Sequence, residues 1–297
     1  MIKLIITVLL FLLSHTFLIA QTEIPNRDMF GVSGTTNAIA VDNDYVYVGG
    51  TFTSVGLNVR NGAKLTSSVI KPNINYPDVN NSINVCIPDG AGGWYIGGTF
   101  ITVGGVTRNR LARINADGTL HQWNPNTNST VNAIAISGSD VYVGGNFVTI
   151  GGQSRNYLAK LNNTDGAVDA NWNPDADGPV NAIAISGSEI YVGGSFTSFK
   201  GGVTTRNCLA KLNNTDGTAD VTWNPNPNSF VNAIAISGSE IYVGGSFTTI
   251  NGGTPRNNLV KLTTTNSTAD ATWNPNANIS VTTIAISGSD IYVGGSF

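Results

Sequence analysis

One stretch of about 50 residues is written five times in this chain and begun a sixth time, and a fixed period of that length decides fold class before any single residue does. The string Tyr47-Val48-Gly49-Gly50 returns as Tyr95-Ile96-Gly97-Gly98, then with Gly144-Gly145, Gly193-Gly194 and Gly244-Gly245, and again at Tyr292. The intervals between the tyrosines are 48, 47, 49, 51 and 50 residues. An Arg-Asn pair follows at Arg60, Arg108, Arg155, Arg206 and Arg256. Trp-Asn-Pro closes four repeats at Trp123, Trp172, Trp223 and Trp273, where the first repeat has Ile70-Lys71-Pro72. Val180 to Thr197 recurs unchanged as Val231 to Thr248.

One repeat, 131–179, shows the local pattern. Val131 to Ser137 is a short apolar run ending in Gly138-Ser139, and Asp140 to Asn146 carries Val141, Tyr142 and Val143, so the pair predicts a tight hairpin. Gly151-Gly152 opens a polar loop through Arg155-Asn156. Tyr157 to Leu161 predicts a third strand, and Asn162 to Gly166 is a turn of residues that tolerate positive φ. Asp169 to Trp172 predicts a short fourth strand stopped by Asn173-Pro174. No stretch beyond the first twenty residues sustains a helical period.

Four strands in about 50 residues, repeated without helices, predict an all-β chain: a β-propeller of four-stranded blades. The boundaries fall near 36–82, 83–130, 131–179, 180–230 and 231–280, with a two-stranded partial sixth blade at 281–297 and a lead segment at 21–35. Blade faces stack on one another, so Ile134, Ile136, Ile183, Ile185, Ile234 and Ile236 are expected to be close to fully buried. A parallel β-helix needs only about 20–25 residues per coil, and the turns here come too often for it.

The pattern YVGGSF…R-N-x-LAKLN-x-x-DG-x-x-D-x-x-W resembles the delta-60 repeat propellers, a group of bacterial secreted proteins of unknown function. It is more distantly similar to the GG-containing repeats of kelch and fungal cortical-marker propellers. The resemblance covers Thr36 to Phe297 and implies the propeller architecture. The Ala20-Gln21 junction is similar to the leader ends of exported Bacteroidetes proteins, many of which carry a C-terminal sorting domain. Phe297 aligns with Phe196 and Phe247, inside a repeat. The expectation is therefore a truncated reading frame with an open or loosely closed ring and an exposed edge at Asp290 to Phe297. Thr22 to Thr35, broken by Pro25, Asn26, Gly31 and Gly34, is a poor candidate for a replacement strand.

Residues 1–20 have one Lys3, an apolar stretch from Leu4 to Leu13 and a small residue, Ala20, before a plausible cleavage. That is the pattern of a secretory signal peptide, too short to span a bilayer and followed by no basic stop-transfer cluster. It predicts a secreted or cell-surface protein with no membrane span after cleavage. The two cysteines, Cys86 and Cys208, have no metal-ligand spacing and stand where other repeats have Ile or Tyr, which predicts packing roles. Charged residues make up only 11% of the chain, against about 25% in an ordinary domain. Asn (37 residues) and Gly (35) take their place, and the net charge is -3. With no concentrated basic footprint, nucleic acid is not an expected partner.

Each recurring residue has a local and a functional reading. The five arginines could form a basic array for an anion, but a guanidinium recurring in every repeat is better read as bonding the backbone carbonyls of its own loop. Lys64, Arg113, Lys160, Lys211 and Lys261 of the third strand are read the same way. A tryptophan recurring once per repeat is a packing wedge before it is a sugar platform. Asp175-Ala176-Asp177-Gly178 resembles the start of a calcium loop without its terminal Glu, and the other Asp-Gly pairs are ordinary turn residues. No cofactor or metal is therefore expected. After cleavage His121 is the one histidine, and no GxSxG, HExxH or phosphate loop occurs. Departures between repeats such as Trp94, His121, Asp175 and Lys200 do not visibly converge. These observations predict a non-catalytic module presenting loops to an extracellular glycan or protein, or serving as a surface scaffold. The alternative is a carbohydrate-active hydrolase or lyase with a carboxylate site on one face.

Overall fold

The computed structural model describes residues 32–42, 45–55, 62–66 and 76–297. The expected leader at 1–20, Arg60 and Ile70-Lys71-Pro72 lie outside these residues, as does the side chain of Lys64. The chain divides into two compact units, Met1–Asn124 and Pro125–Phe297.

In the second unit the repeat becomes an antiparallel sheet with its middle strand flanked by the first and third. The first such sheet comprises Val131–Ser137, Asp140–Gly145 and Leu158–Asn162. The next comprises Val180–Ser186, Glu189–Gly194 and Leu209–Asn213, and the third Val231–Ser237, Glu240–Gly245 and Leu259–Thr263. Val281–Ser287 pairs with Asp290–Gly295 in a two-stranded sheet. Within the first unit, Val32–Asp42, Tyr45–Val55 and Gly62–Thr66 form one sheet, and Ile83–Pro88, Trp94–Gly98 and Leu111–Ile114 another. The chain is an all-β protein of the β-propeller class.

The hairpin between first and middle strands turns on two residues. Ser137 pairs with Asp140 across Gly138-Ser139, and Gly138 has φ of 59°, so glycine holds the first central position as a II′ turn requires. The loop expected after Gly151-Gly152 is itself a small ribbon in which Thr149–Ile150 pairs with Gln153–Ser154. The third strand starts at Leu158 because Tyr157 has φ of 62°, outside strand conformation. The opening strand of the first unit begins at Val32 and pairs through Thr35 with Val55, Phe52 and Thr51, so this end of the expected poor segment is paired strand with a register shift between Val32 and Gly34.

The fourth strand is present only as a bridge. Val168 bridges Leu161 and Ala219 bridges Leu212, after which pairing stops. The cause is the aspartate that follows. Asp169 Oδ1 accepts from Asn171 N at 2.9 Å, and Asp220 Oδ1 accepts from Thr222 N at 2.8 Å and Trp223 N at 3.2 Å. Such a turn offers the backbone amides a local acceptor in place of a ladder partner.

The core lies on the middle strands, not on the isoleucines of the first. Val141 to Gly145 are all buried, as are the corresponding runs Ile190 to Gly194 and Ile241 to Gly245. Of the six isoleucines expected inside, Ile134 is buried, while Ile136, Ile183, Ile185, Ile234 and Ile236 are half-buried. Each first strand pairs on one side only, so its side chains pack against the core clusters from an edge and keep part of their surface exposed.

The two glycines that end each middle strand serve different contacts. A Cβ on Gly144 would stand 2.6 Å from Val180 Cγ1 in the next sheet, and Gly193 and Gly244 face Val231 and Val281 in the same manner. In the first unit Gly49 faces Ile83 at 2.5 Å. The second glycine of the pair meets its own blade: a Cβ on Gly145 would overlap the carbonyl of Thr130, and one on Gly194 that of Pro179.

Two stability changes of opposite sign follow. Gly193→Ala forces a methyl against Val231 and should cost about 1–3 kcal/mol in denaturant unfolding, as overpacking does; a change below about 0.5 kcal/mol, the scale of ordinary surface substitutions, would contradict the contact. Lys200 is exposed with φ of 54°, at the position where another repeat has Asn251 with φ of 52°. Lys200→Asn should therefore stabilise by about 0.5–1 kcal/mol by relieving left-handed strain, and a loss of stability would contradict this.

Candidate functional site

The recurring arginines stitch each blade to itself. Arg155 donates from its two terminal nitrogens to Ser154 O at 2.8 Å and Asp169 O at 3.0 Å. Arg206 does so to Thr205 O and Asp220 O, Arg256 to Pro255 O and Asp270 O, and Arg108 to Thr107 O and His121 O. Arg155, Arg206 and Arg256 are buried. The second carbonyl in each case belongs to the residue that ends blade pairing, so one guanidinium ties the ribbon to the outer edge of the same sheet. These four arginines do not form an array open to an anion.

The tryptophans are wedges. Trp123, Trp172 and Trp223 are at most 1% exposed, and Trp273 is half-buried. Each meets a tyrosine of its own middle strand edge-on: Tyr95, Tyr142, Tyr191 and Tyr242, with ring centroids 4.9–5.3 Å apart. Trp172 Nε1 donates to Asn213 O at 2.9 Å and Trp223 Nε1 to Thr263 O at 3.0 Å, both at the end of the next blade's third strand. A ring buried and bonded in this way has no face for a sugar.

The third-strand lysines are held by carboxylates, two each for Lys160 and Lys261 and one for Lys211. Lys160 Nζ lies 3.1 Å from Asp140 and 3.2 Å from Asp169. Lys211 pairs with Asp220 at 2.5 Å, and Lys261 with Glu240 at 3.1 Å and Asp270 at 2.6 Å. An open pocket of about 230 Å³ borders Asp140, Lys160 and Asp169. Its carboxylates are already paired with the lysine between them.

The repeat at 83–130 departs in charge. Arg113 replaces lysine and pairs with Asp89 at 2.8 Å, while also lying over the Tyr95 ring. His121 takes the place of the turn aspartate: its amide donates to Arg113 O at 2.9 Å, and its Nδ1 accepts from Trp123 N at 2.9 Å. Partial burial and the nearby Arg113 hold its imidazole below the ordinary histidine value. The histidine is a turn cap.

Asp175 and Asp177 also do structural work. Asp175 Oδ1 accepts from Asn156 Nδ2 at 2.7 Å, as Asn226 does from Asn207 and Asn276 from Asn257. Asp177 Oδ1 accepts from the amides of Thr197 and Ser198, the role of Asn128 and Asn228 in their repeats, and its Oδ2 takes both hydroxyls. Among the described residues no group of three or more His, Cys, Asp or Glu side chains is placed to hold a metal. Cys86 and Cys208 are free and buried, and burial pushes the Cys208 thiol up to about 11.

One set of polar residues escaped the sequence reading. Every described first strand carries a register shift at a corresponding position, Asn37, Asn84, Asn132, Asn181, Asn232 or Thr282, which is one residue after the strand's start in all but the first. A bulge re-aims the extra side chain. Asn132 Nδ2 accordingly donates across to Asn181 Oδ1 at 3.2 Å and to Asn146 Oδ1 at 2.9 Å. Asn232 Nδ2 reaches Ser280 Oγ and Val281 O of the next strand, both at 3.2 Å. The recurrence of asparagine in five of six repeats was the available signal.

A model of a family described as a β-propeller domain of unknown function, DUF5122, matches residues 92–120, 140–171, 189–222 and 240–272. No curated protein matches the sequence. Among solved structures, the chain is similar to the WD40 β-propeller domain of Doa1, with a TM-score of 0.60 and 15% identity over 89% of this chain and 76% of that one. It is also similar to the computationally designed Ika8 protein, with a TM-score of 0.59 and 12% identity over 88% and 68% of the two chains. The Neurospora crassa Pan2 WD40 domain gives 0.51 and 10%, over 80% and 65%. At these identities the likeness is one of fold.

The lysine pairs predict an acid transition. Bonds from Lys261 and Thr272 hold the Asp270 carboxyl below its ordinary value. For Asp220 burial acts upward, but the bonds from Lys211 and Thr222 outweigh it and the net displacement is downward. A carboxyl that titrates below its unfolded value near 3.9 contributes stability that is complete above that pH and is lost progressively as pH falls from there through its lower folded value. The denaturant midpoint should therefore drop below about pH 4. Lys211→Met should lower the midpoint at neutral pH and shrink the acid drop; an unchanged drop in that variant would contradict the assignment.

Proposed function

We propose that this chain is an exported, non-catalytic β-propeller that presents its loops to an extracellular glycan or protein, or serves as a surface scaffold, in the manner implied by its resemblance to delta-60 repeat proteins. The observation that carries the reading is the internal use of its reactive side chains. Arg108, Arg155, Arg206 and Arg256 bond their own backbone, Lys160, Lys211 and Lys261 are neutralised by carboxylates, and the most buried tryptophans are wedges. With those groups occupied, the many neutral amide and hydroxyl side chains of the chain are available to meet a partner. Such a surface suits recognition by hydrogen bonding and shape. The propeller fold fits this reading, and export rests on the pattern of residues 1–20.

Expression of the full chain in a Gram-negative host, with fractionation and N-terminal sequencing, tests export: the product should leave the cytoplasm and begin near Gln21. Retention of an uncleaved cytoplasmic product would overturn that part. A binding screen of the purified protein against immobilised glycans and cell-envelope proteins should give saturable hits, together with no hydrolysis of the glycans. Turnover of any glycan would overturn the non-catalytic reading.

A further inference from the structure

In the unit at 125–297 the bulge asparagine of one first strand bonds to the next first strand or the residue before it at two of the three junctions, and at the middle junction it does not. Asn132 donates to Asn181 across the first junction, and Asn232 donates to Ser280 and Val281 across the last. Between Asn181 and Asn232, which lie on adjacent packed strands, no such bond is made. Asn181 uses its oxygen as acceptor and keeps both amide protons free, while Asn232 uses its amide nitrogen and keeps its oxygen free. Both residues are half-buried. A donor and an acceptor thus stand open at one junction, held by bulges that the glycine pairs permit.

The same junction holds an aromatic departure from the repeat. Phe230 immediately precedes the strand that carries Asn232 and is 53% exposed. Its backbone does what the repeat requires, accepting from Ser246 N at 2.9 Å. Its ring is not required, because the corresponding positions are Thr130, Pro179 and Ser280. A lone exposed phenylalanine is unremarkable, but one two residues before Asn232, at the junction that Asn181 leaves unbonded, is not accounted for by blade packing.

We propose that Asn181, Asn232 and Phe230 form a subsite for an uncharged pyranose residue of a glycan. This rests on the binding function proposed above and names the ligand class. An amide N–H and an amide oxygen on neighbouring strands match the donor–acceptor character of vicinal sugar hydroxyls, and an exposed ring supplies an apolar face for the axial C–H groups. An uncharged ligand follows from the chemistry of these three groups, none of which carries charge.

The test is isothermal titration of the full chain with maltohexaose, cellohexaose, laminarihexaose and mannohexaose, at concentrations up to the millimolar range. At least one should bind. Phe230→Ala should weaken that binding at least ten-fold with the melting temperature unchanged, and Phe230→Trp should retain it. Asn181→Asp, which keeps the shape and removes the donors, should weaken it comparably. Absence of binding by all four sugars overturns the subsite. So does binding that all three variants leave intact, although that result preserves the wider binding function. Saturable binding of an envelope protein without any sugar binding would likewise preserve the function and overturn the subsite.

Discussion

The close approach of a neighbouring valine or isoleucine to the first glycine of four Gly-Gly pairs is the contact on which the other features depend. Gly49, Gly144, Gly193 and Gly244 each lie under the opening residue of the next first strand, with no room for a methyl group. A sheet of three short strands cannot bury both faces alone, so its stability comes from stacking on its neighbours. Glycine sets the spacing of that stack. The second glycine lets the first strand cross close over the middle strand, and the register shift at that crossing is the bulge that presents the asparagines.

With the spacing set, the remaining repeated residues close the edges. The tryptophan leaves its own blade and bonds the end of the next third strand, while the arginine returns the ribbon to the outer edge of its own sheet. The turn aspartate serves several partners at once: it caps the chain before tryptophan, lends its carbonyl to the arginine and its carboxylate to the lysine. This shared use explains why the fourth strand ends after one bridge. It also explains how His121 can replace the aspartate only alongside a second change, the Arg113–Asp89 pair, because an imidazole can cap the turn but cannot neutralise a cation.

The period made the architecture legible from the sequence, and the guanidinium reading was legible because a charged group repeated in every blade needs a partner repeated in every blade. Two features were hidden by the same assumption, that strand residues alternate strictly. Val131-Asn132-Ala133 reads as ordinary in–out alternation, so the bulge at Asn132 leaves no trace in hydrophobic pattern. The same counting assigned Ile136, Ile185 and Ile236 to the deep core, whereas one-sided pairing of the first strand leaves them at its margin. The fourth strand was expected because Asp169 to Trp172 is the right length, yet a side chain that captures nearby amides outcompetes a ladder. Phe230 and Asn181 could not be singled out from sequence, since their interest lies in a bond that a neighbouring strand does not make.

A double-mutant cycle at one blade junction tests the central claim most directly. If Gly193 is required because Val231 lies against it, shortening the valine must relieve the crowding that an added methyl creates. Unfolding free energies of Gly193→Ala, Val231→Ala and the double variant should show a favourable coupling of about 0.5–3 kcal/mol, the range for residues in contact. Additivity within about 0.5 kcal/mol would mean that the two positions act independently and that the blades are not spaced by this contact.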